Sequence, residues 1–144
     1  MTNELQRRLL IAEDDPDDQL LISDALQEAG IPARNVQFFD DGRALLDYLE
    51  QRIDFNGVVL MDLNMPRMDG REALKTLKRS PRLRHIPVMV LTTSSSDADV
   101  HLTYATGGNT FFTKPTHFDE LVKIMSLVKR YWVEQARLAK PPEM

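Results

Sequence analysis

Apolar runs of strand length alternate with helical periodicity along the whole chain. Leu9-Leu10-Ile11-Ala12 predicts a short buried strand that stops abruptly at Glu13-Asp14-Asp15-Pro16-Asp17-Asp18. Pro16 suits the first turn of a helix, and the acids around it suit the positive end of the helix dipole, with Asp15 as the expected N-cap. Leu20, Leu21, Ala25, Leu26 and Ala29 then recur at helical spacing until Gly30 stops the run. Val36-Gln37-Phe38-Phe39 reads as a second strand, and Asp40-Asp41-Gly42 leads into a helix carrying Leu45, Leu46 and Leu49. Val58-Val59-Leu60-Met61 predicts a third strand without polar alternation, a pattern that belongs in a sheet covered on both faces. Pro66 and Gly70 make the stretch after Asp62 a loop, and a third helix is expected over about Arg71 to Arg79, ended by Pro81. A fourth strand is expected over Ile86-Pro87-Val88-Met89-Val90-Leu91. Ser96 with Asp99 forms a capping signal for a mostly polar helix that Gly107-Gly108 terminates. Thr110-Phe111-Phe112-Thr113 predicts the fifth strand, closed by Lys114-Pro115. Thr116 and Asp119 are then expected to cap a long last helix running to about Lys140.

Strands and helices in strict alternation imply an α/β fold with a five-stranded parallel sheet and helices on both faces, because each crossover is right-handed. No internal repeat, low-complexity segment or internal linker interrupts the pattern.

Composition narrows the function classes. At 144 residues one domain is expected, and 42% apolar with 28% charged residues describes an ordinary globular protein. The absence of cysteine removes disulfides, thiolate metal sites and thiol catalysis, and fits a reducing cytoplasm. A net charge of −4 argues against general nucleic-acid binding, whose footprint is a basic surplus. No apolar run approaches a membrane span, and the polar stretch Met1 to Arg8 carries no visible signal peptide, so a cytoplasmic protein is expected.

The chemistry collects at the carboxyl ends of the expected strands, where open α/β sheets bind ligands. Strand one delivers Glu13, Asp14 and Asp15; strand three delivers Asp62; strand four delivers Thr92; strand five delivers Lys114. Clustered carboxylates repel one another unless a cation sits between them, and hard oxygen ligands suit Mg²⁺ or Ca²⁺. Any one of these residues taken alone would be an ordinary charge at a solvated strand end. His85, His101 and His117 show no metal spacing and are read as surface residues, and the methionines as core filler apart from Met65 and Met68 beside the site.

Taken together these residues resemble the receiver domain of the two-component response regulators. The resemblance rests on Glu13-Asp14 after strand one, Met61-Asp62-Leu63-Asn64-Met65-Pro66 with Asp69-Gly70 after strand three, Thr92 after strand four, and Lys114-Pro115 after strand five. It covers the chain from Leu9 to about Lys129. It implies a (βα)5 doubly wound, flavodoxin-like fold with Asp62 as the acceptor of a phosphoryl group from a histidine kinase. Mg²⁺ would be held by the carboxylates of Asp14 and Asp62 and the backbone carbonyl of Asn64, with Glu13 acting through water. Lys114 and the Thr92 hydroxyl would contact phosphoryl oxygens, and Thr92 with Phe111 would form the switch pair, although Phe111 lacks the hydroxyl of the tyrosine often found there. Asn64 and Ser94, two residues beyond Asp62 and Thr92, stand where the family tunes loss of the phosphoryl group.

Two nearby patterns do not fit. Asp62-Leu63-Asn64 begins like a calcium loop, but Pro66 occupies a ligand position and the closing glutamate is missing. A haloacid-dehalogenase-type phosphatase needs a second aspartate where this chain has Asn64. The enzyme alternative on the same fold, flavodoxin-like or phosphatase-like, also lacks a hydroxyl-rich phosphate loop after strand one.

At about 100° per residue the last helix carries two apolar stripes: Phe118, Leu121, Val122, Met125, Val128 and Trp132, expected on the sheet, and Ile124, Leu127, Tyr131 and Leu138 beside them. The combined arc exceeds one core contact, and either a fold-back onto the domain or a protein–protein surface would use it. The resemblance favours a homodimer through helix 4, strand 5 and helix 5. Tyr131-Trp132 and the proline-containing end also resemble stand-alone receivers that partner bacterial phytochrome kinases. A single receiver domain over residues 1–144 with a core of about 9–129 leaves no room for an output domain, so output is expected from a surface.

Overall fold

The computed structural model describes residues 7–52 and 54–142. The N-terminal residues 1–6, which belong to the stretch read as free of a signal peptide, lie outside the described residues. The chain runs β1 (Arg8–Ala12), α1 (Pro16–Glu28), β2 (Val36–Phe39), α2 (Gly42–Glu50), β3 (Gly57–Met61), α3 (Gly70–Arg79), β4 (Val88–Thr92), α4 (Asp97–Thr106), β5 (Thr110–Thr113) and α5 (Phe118–Val128). All five strands pair in parallel, in the order β2-β1-β3-β4-β5. The helices cover both faces, which is the doubly wound, flavodoxin-like architecture.

Strand side chains divide by the period of two. Leu10, Ala12, Val59, Met61 and Val88 face a cluster completed by Leu45, Leu46 and Leu49 of α2 and Ala73, Leu74 and Leu77 of α3. Leu9, Ile11, Val58, Leu60, Met89 and Leu91 face the other cluster, completed by α1 and α5 through residues such as Ile22, Leu26, Leu121 and Met125. Every residue of β3 and β4 is buried, which is why their sequences show no alternation.

The caps agree with local chemistry. Asp15, Asp41, Asp69 and Ser96 each accept a backbone N–H in the first turn of α1, α2, α3 and α4. Gly107 ends α4 with φ +115°, a left-handed conformation that side chains rarely adopt.

Four expectations change. β4 begins at Val88, because Pro87 has no N–H for the ladder; its carbonyl still accepts from Val59 N at 3.0 Å. α5 begins without a side-chain cap, since His117 and not Thr116 occupies the N-cap position. The long last helix widens into a π-helical segment over Lys129–Gln135 and turns extended at Ala136, short of Lys140. Leu138 then packs back onto the α1–α5 cluster, while Leu127 (57%) and Tyr131 (61%) stay exposed. Finally Met65 is buried in the α2–α3 cluster and Met68 packs against it, and His85 is half-buried, unlike exposed His101 and His117.

Candidate functional site

The strand order reverses between β1 and β3, and the register pairs Ala12 with Met61. The next residues, Glu13 and Asp62, therefore emerge side by side in the crevice beyond the carboxyl ends. Asp62 N donates to Ala12 O at 3.0 Å, and Glu13 N to Phe39 O at 2.9 Å, so both backbones are fixed by the sheet. On the other flank Thr92 pairs with Thr113, and Lys114 N donates to Thr92 O at 2.7 Å. The sheet thus carries Lys114 to the same rim.

The Lys114 ammonium donates to Glu13 Oε1 at 2.5 Å, Asp18 Oδ2 at 2.8 Å and Asp62 Oδ2 at 2.9 Å. Asp62 Oδ1 accepts from Asn64 N at 3.2 Å, and Glu13 Oε2 from Asp15 N at 3.1 Å. Burial disfavours the charge of Lys114, but its hydrogen bonds to Asp18, Glu13 and Asp62 outweigh that and hold the ammonium above the usual lysine range. Burial pushes the Glu13 carboxyl up to about 7 despite the neighbouring Lys114. Carboxylate oxygens of Glu13, Asp14 and Asp62 lie within 4.8 Å of one another. The Asp14 carboxylate has no hydrogen-bond or ion-pair partner among the described residues. An all-oxygen set with one uncommitted carboxylate fits a hard divalent cation.

The loop between β3 and α3 is fixed by unusually close packing. A Cβ on Gly70 would lie 2.0 Å from Asp62 O and 2.8 Å from Leu63 Cα, so only glycine lets the chain return beside Asp62. Arg67 takes a left-handed φ of 61° and its guanidinium pairs with the buried carboxylate of Asp41, with Nε at 2.6 Å. Beyond β4 the connections are polar. Arg71 of α3 makes two bonds to Asp99 of α4, at 2.8 and 2.7 Å, and reaches Asn64 Oδ1 at 3.3 Å. The Ser94 hydroxyl donates to Asp99 Oδ2 at 2.6 Å. Arg71 and Ser94 hold the Asp99 carboxyl well below the usual carboxylate range.

The expected residues Glu13, Asp14, Asp62 and Lys114 meet at one point. Thr92 is fully buried; its Oγ1 sits 3.5 Å from Ser94 N. Asn64 is exposed at the rim, and Phe111 is half-buried on edge strand β5, where its N–H donates to Tyr104 Oη at 3.1 Å. Asp15 caps α1 and does not join the Lys114 cluster. Three participants were not singled out from sequence for this role: Asp18, Arg71 and Asp99. Asp18 belongs to the acidic run opening α1, and the first helical turn is what returns it to Lys114. Arg71 and Asp99 lie on different helices, and no sequence periodicity links them.

The model of the response regulator receiver domain matches residues 9–126. The chain is 39% identical over 139 residues to the probable methanogenesis regulatory protein FilR2 of Methanothrix harundinacea, covering 92% of this chain and 88% of the relative. It is 33% identical to the response regulator Rcp1 of Synechocystis, covering 90% and 91%. The Mn²⁺-bound structure of Rcp1 superposes with a TM-score of 0.79, at 32% identity over 92% of this chain and 99% of that one. The phosphorylated cyanobacterial phytochrome response regulator RcpA gives a TM-score of 0.83, at 32% identity over 92% and 97%. Nothing in these matches supports a flavodoxin-like or phosphatase-like enzyme. Fold, site and matches over nearly the whole chain lead to one conclusion: the protein belongs to the response regulator receiver domain family and is a phosphorelay signalling protein.

Proposed function

We propose that this receiver accepts a phosphoryl group on Asp62 from a sensor histidine kinase, with Mg²⁺ in the acidic pocket. The observation that carries the proposal is the buried Asp62 carboxylate, 2.9 Å from the Lys114 ammonium and grouped with Glu13 and Asp14 within 4.8 Å. Asp14, Asp62 and the Asn64 carbonyl would hold the metal, with Glu13 acting through water. Bound there, a hard cation neutralises charge on the phosphoryl oxygens and keeps the carboxylates from repelling the incoming group. An Asp62 oxygen forms the bond to phosphorus as the phosphorus–nitrogen bond to the kinase imidazole breaks and nitrogen keeps the electron pair. Lys114 supplies a fixed positive charge to the transferred oxygens, and the Thr92 hydroxyl a hydrogen bond.

Movement of Thr92 toward the phosphoryl group would empty space that Phe111 fills, making these the switch pair. Exposed Tyr104 (50%), Leu127 and Tyr131, on α4, α5 and the π-helical segment, supply apolar area for a homodimer through α4, β5 and α5. Exposed Leu20 and Leu21 of α1, just beyond Asp18, offer the kinase an apolar contact beside the pocket. The likeness to the cyanobacterial phytochrome response regulator RcpA supports a phytochrome-type kinase upstream. In this reading the protein works in the cytoplasm, without nucleic-acid or membrane partners, as one receiver domain over residues 1–144 that signals through a changed surface.

Incubation with acetyl phosphate and Mg²⁺ followed by intact mass tests the proposal. Wild type gains the mass of one phosphoryl group and Asp62→Asn gains none. Wild type with no increment and no beryllofluoride binding would refute it.

A further inference from the structure

The opposite, amino edge of the sheet holds a second site of inverted charge. A cavity of about 860 Å³ opens beneath Gly57 and Pro87, where β3 and β4 begin, and the segment 137–142 folds across it as one wall. That volume lies within the range of small-molecule sites, about 300–1,000 Å³. On a chain of net charge −4 its lining carries Arg7, Arg52, Arg82, Arg137 and Lys140, against Asp54 as the lining carboxylate.

Their charge is only partly neutralised. Arg7 spends its Nη1 on the backbone carbonyls of Trp132 (2.9 Å) and Val133 (3.1 Å), while its buried Nε has no partner among the described residues. Arg52 lies 4.6 Å from the centre of the Tyr48 ring, and Arg82 reaches the Glu50 carbonyl at 3.5 Å and its carboxylate at 3.8 Å. Arg137 and Lys140 form no ion pair among the described residues. His85 also lines the cavity, its buried Nδ1 without a partner among the described residues. Phe55, Leu83, Ile86 and Leu138 give the same cavity an apolar side.

We propose that this cavity binds a small organic phosphate, its phosphates among the guanidinium groups and its apolar body on the Phe55–Leu138 side. Guanidinium forks match phosphate oxygens in pairs, and several cations around one enclosure select a multiply charged ligand. The enclosing wall at 137–142 favours a small molecule over a nucleic-acid strand, which needs an open basic track. The site is remote from Asp62, and the inference is independent of the phosphoacceptor reading.

Calorimetric titration of the full chain with ADP tests it, with pyrophosphate in parallel. EDTA is present throughout, so that no divalent cation can recruit phosphate to the acidic pocket. ADP should bind saturably, and more tightly than pyrophosphate. The double variant Arg137→Ala/Lys140→Ala, altered at two exposed positions, should weaken ADP by about tenfold or more. Asp62→Asn should bind as wild type does. No saturable binding at millimolar ADP, unchanged affinity in the double variant, or loss of binding in Asp62→Asn would overturn the site. Pyrophosphate binding as tightly as ADP would overturn the assignment of an organic ligand.

Discussion

The two flanks of the pocket are held by different kinds of interaction. On the β1–β3 side α2 and α3 bury Leu45, Leu46, Leu49, Leu74 and Leu77 almost completely against the strands. The adjoining loop is closed by Gly70 and by the Arg67–Asp41 pair. On the β4–β5 side α4 buries only Thr103, and β5 is an edge strand with no fully buried residue. β4 itself is buried in the sheet, but α4 and the end of β5 are tied in by charged and polar bonds: Lys114 to Glu13, Asp18 and Asp62, Arg71 to Asp99, and, within this side, Tyr104 to Phe111. Apolar burial is indifferent to a new charge at Asp62, whereas each of those ionic bonds is not. A phosphoryl group on Asp62, as proposed, would therefore have most to rearrange on the β4–β5 flank, which carries the proposed dimer surface.

Variants that cut each kind of link should separate the two. Lys114→Ala leaves Glu13 and Asp62 buried without their cation, so unfolding in metal-free buffer should show a loss of about 3–5 kcal/mol. Added Mg²⁺ should recover part of it; no recovery would mean that the carboxylates do not hold a cation. Leu74→Ala on the apolar flank should cost about 2–5 kcal/mol, and Mg²⁺ should restore none of that difference. Arg71→Ala should cost less, about 1–3 kcal/mol, by removing two charged hydrogen bonds from Asp99. Tyr104→Phe removes one exposed hydrogen bond and should cost below about 1 kcal/mol, while loosening β5 enough to raise amide exchange at Phe111.

Acid should act on the polar flank selectively. The folded Asp99 carboxyl titrates below its ordinary value of 3.8, because Arg71 and Ser94 bind its charged form. A lowered acid contributes stability that is present above that ordinary value and lost as the pH falls through the folded one. The stability gap between wild type and Asp99→Asn should therefore be full near neutrality and close below about pH 4. A gap that stays constant with pH would show that Asp99 is not held as an ion.

Much of this was legible in the chain. β2 and β5 fall where apolar pattern put them, and Asp15 and Ser96 cap as expected, because strand period and capping depend on neighbours in sequence. The site residues at strand ends were legible for a related reason, since a parallel sheet places every carboxyl end on one rim. What escaped depends on tertiary contact. Asp18 reaches Lys114 across 96 residues, and Arg71 reaches Asp99 across 28, with no local pattern to announce either. The last helix looked regular to Lys140, but the backbone widens at Lys129 and turns out at Ala136, where Leu138 finds burial on the domain itself.

Hydrogen–deuterium exchange of the full chain, in Mg²⁺ alone and in Mg²⁺ with beryllofluoride as the phosphoryl mimic, tests the asymmetry most directly. Exchange should change across residues 93–113 and stay level across α2 and α3, with Asp62→Asn showing no change in either. Equal changes on both flanks, or none in a wild-type protein that has bound the mimic, would contradict the account.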